Sequence, residues 1–296
     1  MPPADAPLPL AIKLLIGAVV SLGLLTALFV AIKAWRRPPL LPYEPRRPVP
    51  WGANDLVLTV LFIFVIGYAG AQLTAHVQGA PPAQAGQESN TVSVNGYYIG
   101  SLAELAGVAI AIYLMRLVAN ATLSDLGFGI RRLGRDIGVG AVALLASAVP
   151  IYGLNELLTR YVKYTHQVLK SLESQPDVRM FVATAVAALV VAPLFEEFLF
   201  RVLLQGWFEK IESLRRMLRL GLPGEGPAWW PIVLSSFLWA IMHWQNGLAA
   251  VPLFFFGLVL GYLYQRSHRI WPSMTTHFLL NATTMTALWF QIHHGH

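Results

Sequence analysis

The sequence predicts an all-α fold, a polytopic bundle of about eight transmembrane helices. Three observations predict it. Of 296 residues, 56% are hydrophobic and only 12% charged, about half the charged share of an ordinary soluble domain. The apolar residues gather into runs of roughly 20, the length that crosses a hydrocarbon core as a helix. The Lys and Arg residues collect in alternate connections between those runs, as they do in multi-pass membrane proteins.

The first run, 14–32, follows Lys13 and precedes the basic stretch RRPPLLPYEPRR. With no small-residue cleavage signal behind it, it reads as a retained anchor rather than a signal peptide. Residues 1–50 are therefore expected to form an N-terminal anchor and a basic, Pro-rich cytoplasmic linker, and 51–296 a separate functional bundle. Spans 56–77, 97–115 and 137–158 open that bundle. The segment TRYVKYTHQVLKSLESQPDVR then mixes apolar and charged residues at near-helical spacing, and reads either as an interfacial helix or as a solvated connector. Spans 180–208, 229–244, 248–264 and 271–292 complete the set. No internal repeat is visible, which disfavours a transporter built from duplicated halves.

Of 21 Lys and Arg residues, 15 follow spans 1, 3, 5 and 7: Lys33, Arg36, Arg37, Arg46 and Arg47; Arg116, Arg131, Arg132 and Arg135; Lys210, Arg215, Arg216 and Arg219; Arg266 and Arg269. Five (Lys13, Arg160, Lys163, Lys170 and Arg179) lie on the other side, and Arg201 lies inside a span. Both termini are thus expected to face away from the cytoplasm. The net charge of +6 reads as topogenic, since no soluble stretch combines basic clusters with interleaved aromatics for nucleic acid. The absence of cysteine excludes disulfides, thiolate nucleophiles and cysteine-ligated metals.

Chemistry enters with EEFLFR at 196–201. A charge at the centre of a membrane helix costs roughly 2.5–3.5 kcal/mol on the insertion scale, so three within six residues must face protein or water. Glu197 and Arg201 are four apart, about 40° round a helix, and can pair, while Glu196 sits about 100° from its neighbour. A pair that only locks helix packing needs one carboxylate; the second is left for acid–base work. Pro193 is expected to deprive the Leu189 carbonyl of its helical donor and loosen the span beside the charges. His243 ends span 6, and His277 and Asn281 stand at i and i+4 on one face of span 8. Singly, these read as an interfacial histidine and as interhelical hydrogen-bonding glue. Together they supply a carboxylate, two imidazoles and an amide, enough to hold a water and stabilise an oxyanion.

These motifs resemble the CPBP intramembrane proteases, also called the ABI or CAAX-protease-like family, whose best-known members are the type II CAAX prenyl endopeptidases. EExxxR stands as Glu196, Glu197 and Arg201; FxxxH appears as WAIMH, with Trp239 for phenylalanine and His243 as its histidine; HxxxN is His277 to Asn281. The resemblance covers about residues 180–292. It implies that Glu196 and His243 activate the water that attacks a peptide bond, that His277 and Asn281 hold the oxyanion, and that Glu197 and Arg201 orient them, with Trp239 packing beside the catalytic histidine. It leaves two readings of the metal: zinc on Glu196, His243 and His277, or direct, metal-free activation of water, which the lack of HExxH favours. The terminal HHGH reads as a mobile tail beyond the last span.

The expected function is an intramembrane endopeptidase acting near the membrane-anchored terminus of a lipid-anchored or membrane-embedded chain. Its partners are membrane lipid and that substrate, not nucleic acid. Pro- and Ala-rich ends suggest a prokaryotic cell membrane. The site is expected to open to the cytoplasm, with Glu196 and His277 roughly 10–18 Å from the inner span ends and His243 further out. Two other classes compete: a non-catalytic scaffold or maturation or immunity factor, and an ion-coupled transporter whose pathway would include Glu104 and Glu156. Those two glutamates read as interfacial residues near span ends.

Overall fold

The computed structural model describes residues 10–36, 39–77, 92–162, 168, 171–172, 177–221 and 226–294. Lys163, Lys170 and most of the 159–179 connector lie outside the described residues, as do the last two residues of the HHGH tail. The described residues form eight helices and no strand: α1 (Leu10–Arg36), α2 (Ala53–Val77), α3 (Val94–Val118), α4 (Leu133–Thr159), α5 (178–220), α6 (Trp229–Met242), α7 (Ala250–Ser267) and α8 (Ile270–His294). α8 thus continues through the first two histidines expected in the tail. A 3₁₀ turn, Trp244–Ala249, joins α6 to α7.

Among the described residues, six helical runs, Gly17–Arg36, Ala53–Val77, Val94–Val118, Leu133–Thr159, Val178–Arg219 and Gly247–Ser267, are long and apolar enough to cross a membrane. The chain is an integral, multi-pass membrane protein. The other two helices depart from the simple pattern for separate reasons. α6 has only 14 residues, about 21 Å of helix against a hydrocarbon core of about 30 Å. α8 has 25 residues but is diluted by Thr275, Thr276, His277, Asn281, Thr283, Thr284 and Thr286.

Capping residues set several boundaries. Ser93 accepts the Gly96 N–H at 3.1 Å before α3, and Asp177 accepts the Arg179 N–H at 3.1 Å before α5; each satisfies a donor that a helix start leaves unpaired. Gly221 ends α5 at φ +61°, a left-handed position suited to glycine. His268 ends α7 at φ +50°, where its ring is held by the Glu44 carbonyl (Nδ1 to O, 2.8 Å).

α5 runs through the middle of the bundle. Its Phe198, Val202 and Leu203 join a buried cluster with Trp51, Val108, Met115 and Tyr264. Its Phe200 joins another with Leu144, Trp239, Phe256 and Leu280. α1 is peripheral and packs on α4, where Gly23 permits close approach: a Cβ there would stand 2.9 Å from Val149 Cγ2. The remaining α1 surface exposes Leu22, Leu25, Leu28 and Phe29, as a lipid-facing helix must.

Residues 39–52 cross one end of the bundle as a strap. Trp51 is fully buried and donates its indole N–H to Leu203 O at 3.1 Å. Lys210 Nζ donates to Trp51 O at 2.7 Å. Upstream, the Glu44 carboxylate accepts from Arg269 (2.6 Å), Arg132 (2.7 Å) and Arg135 (3.1 Å), and Arg269 Nη2 also donates to buried Asp136 at 2.9 Å. These ion pairs tie the strap to α4 and to the turn between α7 and α8.

α8 is set against α4 at Gly140, where a Cβ would meet Pro272 O at 2.6 Å and Thr275 Cβ at 2.8 Å. Thr276 Oγ1 donates to Gly140 O at 3.0 Å across the same contact. Gly140→Val is expected to destabilise the protein by about 1–3 kcal/mol or more through overpacking. Gly138→Val, with nothing within 4 Å, should change stability by less than about 0.5 kcal/mol; paired thermal unfolding curves in detergent check the contrast.

The Arg269 hydrogen bond, followed by the charges of Arg269, Arg132 and Arg135, holds the Glu44 carboxyl below its ordinary value of 4.5. A lowered folded pKa contributes stability that is present above the unfolded value and lost as pH falls through the folded one. Wild-type stability should therefore drop more steeply below about pH 4.5 than that of Glu44→Gln, as read from melting temperature against pH.

Candidate active site

The site is built on the irregular part of α5. Its α-helical pieces Val178–Val186, Ala192–Glu196 and Gly206–Leu220 alternate with π-helical pieces Ala187–Val191 and Glu197–Gln205. The first interruption adjoins Pro193, as expected, but the register differs. The Ala192 N–H bonds Ala187 O, five residues back, so the donor due to Ala188 would belong to residue 193, a proline without an N–H. The Ala188 carbonyl is therefore left without that donor, and the Asn281 side chain answers it: Nδ2 donates to Ala188 O at 2.7 Å.

The second interruption begins at Glu197, and the two glutamates part company there. Glu197 and Arg201 are buried, at 1% and 0% side-chain exposure, with Arg201 Nε 3.6 Å from Glu197 Oε2. Arg201 also lies over the Trp239 ring, 5.4 Å from its centroid, and its Nη1 donates to Ser235 Oγ at 3.4 Å. Glu196 keeps 18% exposure. One carboxylate is consumed by the pair and the other remains reachable, as the spacing predicts.

Both histidines turn towards Glu196. His243 caps α6 and places Nε2 3.7 Å from Glu196 Oε1; His277, from α8, places Nε2 3.9 Å from Glu196 Oε2. Each ring is fixed from behind: His243 Nδ1 lies 3.0 Å from Trp239 O, and His277 Nδ1 3.1 Å from Glu197 Oε1. A carbonyl and a carboxylate are both acceptors, so the hydrogen-bond network assigns the proton to Nδ1 in each neutral ring. The Nε2 lone pairs then face Glu196. Trp239 and Phe256 pack edge-on against His277, with centroids 5.6 and 5.9 Å away.

The expected depth offset of His243 does not appear. α5 continues to Leu220, well past the span end expected at 208, so Glu196 lies deeper in its helix than a span of 180–208 implies, and α6 ends at Met242 beside it. Trp239 does more than pack. Its indole N–H donates to Glu196 Oε2 at 2.7 Å, a bond phenylalanine has no means to make. Among the described residues, no group of three or more metal-binding side chains is drawn together closely enough to hold an ion as it stands.

Glu156 is exposed and pairs with Arg160 near the end of α4 (3.7 Å), in keeping with an interfacial residue. Glu104 is different. It lies mid-way along α3, partly buried, on the stripe of Tyr97, Ser101, Val108, Ala111 and Met115, and it interacts electrostatically with Glu196. The 3–4–3–4 spacing of that stripe was the available signal for an inward-facing carboxylate.

Residues 178–283 match a family model described as type II CAAX prenyl endopeptidase Rce1-like. That stretch of the chain is similar to the Rce1-like family. It contains Glu196, Glu197, Arg201, Trp239, His243, His277 and Asn281, and it is the family that the three motifs resemble. The Rce1-like match points to a CAAX-type intramembrane protease. No curated protein and no solved structure matches the chain.

The Asn281 bond predicts a stability effect separate from chemistry. Asn281→Leu leaves the Ala188 carbonyl without its donor, a loss of about 1–3 kcal/mol. The check is a lowered unfolding midpoint in detergent, whatever the variant does to activity.

Proposed function

We propose that the chain is an intramembrane endopeptidase that hydrolyses a peptide bond near the membrane-anchored end of its substrate, with Glu196 as general base. The observation that carries this reading is the convergence of two backed imidazoles on one partly exposed carboxylate. Glu196 Oε1 and His243 Nε2, 3.7 Å apart, are both acceptors too distant to bond each other, and one water donating to both spans that gap. As its oxygen attacks the scissile carbonyl carbon, the water gives a proton to Glu196, which passes it to the leaving amine as the C–N bond breaks.

The oxyanion side falls to α8. With Nδ1 tied to Glu197, a protonated His277 donates through Nε2. Asn281 has a second amide hydrogen besides the one on Ala188 O. Glu197 and Arg201 act by orientation, and the Trp239 N–H fixes one Glu196 oxygen so that the other faces His243. The Rce1-like match supports a substrate of the CAAX type, a chain carrying a prenyl group near its C-terminus, approached from the cytoplasmic side. The preponderance of basic residues in the strap and in the 215–219 and 266–269 segments supports that orientation.

The test uses the purified full-length chain in detergent with farnesylated CAAX peptides and unmodified transmembrane tails. Glu196→Gln should reduce cleavage about 10²–10⁴-fold with an unchanged melting temperature, and a chelator should leave wild-type cleavage intact. Equal activity of the folded variant would remove Glu196 from the chemistry. Cleavage lost to chelator and restored by zinc would replace the metal-free mechanism.

A further inference from the structure

A small cleft lies between the strap, the last third of α5 and the turn after α7, lined among others by Arg46, Arg47, Glu209, Lys210, Ser213 and His268. Its charges do not balance. Three cations face one carboxylate, and that carboxylate is already well supplied: Glu209 receives Gln205 Nε2 at 3.0 Å and lies 3.3 Å from His268 Nε2 and 3.5 Å from Arg46 Nη2. Arg46 Nη1 is buried and makes no hydrogen bond of ordinary geometry among the described residues; the Tyr264 hydroxyl interacts with the guanidinium without closing such a bond, and a guanidinium N–H shut away from water carries a penalty until an acceptor meets it.

The local build favours an anion over closure of the gap. Arg46 is fixed with Cζ 5.3 Å from the centroid of the buried Tyr264 ring. Gly206 leaves it room, since a Cβ there would stand 3.1 Å from Arg46 Nη2. Lys210 is held by Pro50 O and Trp51 O, and exposed Arg47 completes the basic wall. Two arginines, a lysine and the Ser213 hydroxyl are the donor set that suits a phosphate.

The neighbouring surface identifies the source. Beyond the cleft, α5 exposes Ile211, Leu214, Met217 and Leu218 between Arg215, Arg216 and Arg219, the pattern of a helix lying in a headgroup layer. A bound molecule with its phosphate in the cleft would have apolar surface alongside for acyl chains. We propose that this cleft binds the phosphate of an anionic lipid of the leaflet that the basic face contacts. The lipid would lock the strap onto α5, and this does not depend on the proteolytic reading.

The experiment is thermal unfolding of the full-length chain in neutral detergent, supplemented with phosphatidylglycerol, with phosphatidylcholine of the same acyl chains, or with inorganic phosphate. Phosphatidylglycerol should raise the melting temperature by about 4 °C or more beyond phosphatidylcholine. Arg47→Gln, at an exposed position, should fold normally and lose that excess. Arg46→Gln removes a packed side chain, so it is read instead by native mass spectrometry, where retained phosphatidylglycerol should fall at least fivefold while any retained phosphatidylcholine is unchanged. Equal shifts from the two lipids, or an excess that survives in Arg47→Gln, would overturn the site. An equal shift from inorganic phosphate would overturn the lipid as its source.

Discussion

The structure depends on keeping a glutamate and an arginine dry together. Glu197 and Arg201 are the most deeply buried charges of α5, and either alone would be a severe liability inside a bundle. Their mutual attraction is extended by a continuous polar chain. His277 leans on Glu197, Arg201 reaches Ser235, Ser235 donates to Gln205 Oε1 at 3.2 Å, and Gln205 Nε2 donates to Gly261 O at 2.9 Å and to Glu209. Through Ser235, Gly261 and His277 the chain reaches α6, α7 and α8 in turn, so satisfying the pair also fixes where those three helices stand. Glu196 gains its setting from this arrangement: the rings that face it are held by groups whose positions the pair determines.

The two π-helical pieces serve the same end. In a regular α-helix the carbonyl left unpaired by Pro193 would be that of Leu189, about 100° round α5 from Ala188. Wider turns beside Pro193 expose the Ala188 carbonyl, and an amide from α8 then becomes a structural requirement. At the second interruption the Leu203 carbonyl takes the indole N–H of Trp51, which brings in the strap. Backbone irregularity within a membrane is tolerated where other groups re-satisfy it, and here those groups come from separate segments.

This explains what was legible in the sequence. The split between the two glutamates follows from a four-residue spacing and the cost of burying charge, both local, and His277 and Asn281 share a face for the same reason. The helices were legible from apolar run length, because the bilayer sets that length independently of packing. The Ala188 orphan was not, because choosing between four- and five-residue bonds depends on a partner from α8, nearly a hundred residues away. Trp239 illustrates a second limit: its type announces bulk, while its indole N–H matters only once Glu196 stands opposite. Glu104 lies on a readable stripe, yet only the packing of α3 on the Ala192–Glu196 turn gives that stripe its neighbour.

The short α6 bears on how water reaches so buried a place. At about 21 Å it falls well short of the hydrocarbon thickness, and the 3₁₀ turn that follows contains backbone groups that hydrocarbon would not satisfy. The end of α6 must therefore meet protein or water at a level where longer helices are still surrounded by lipid. His243 stands at that end with 23% of its side chain exposed, and Glu196 beside it with 18%, whereas Glu197, Arg201 and His277 behind them stay at 6% or less. The exposure falls from the helix end inward, in the order in which an entering water would meet a carboxylate flanked by imidazoles and then the sealed ion pair. His243 is the C-cap of this short helix, so the place where α6 stops is also the place where a side chain from it stands beside Glu196.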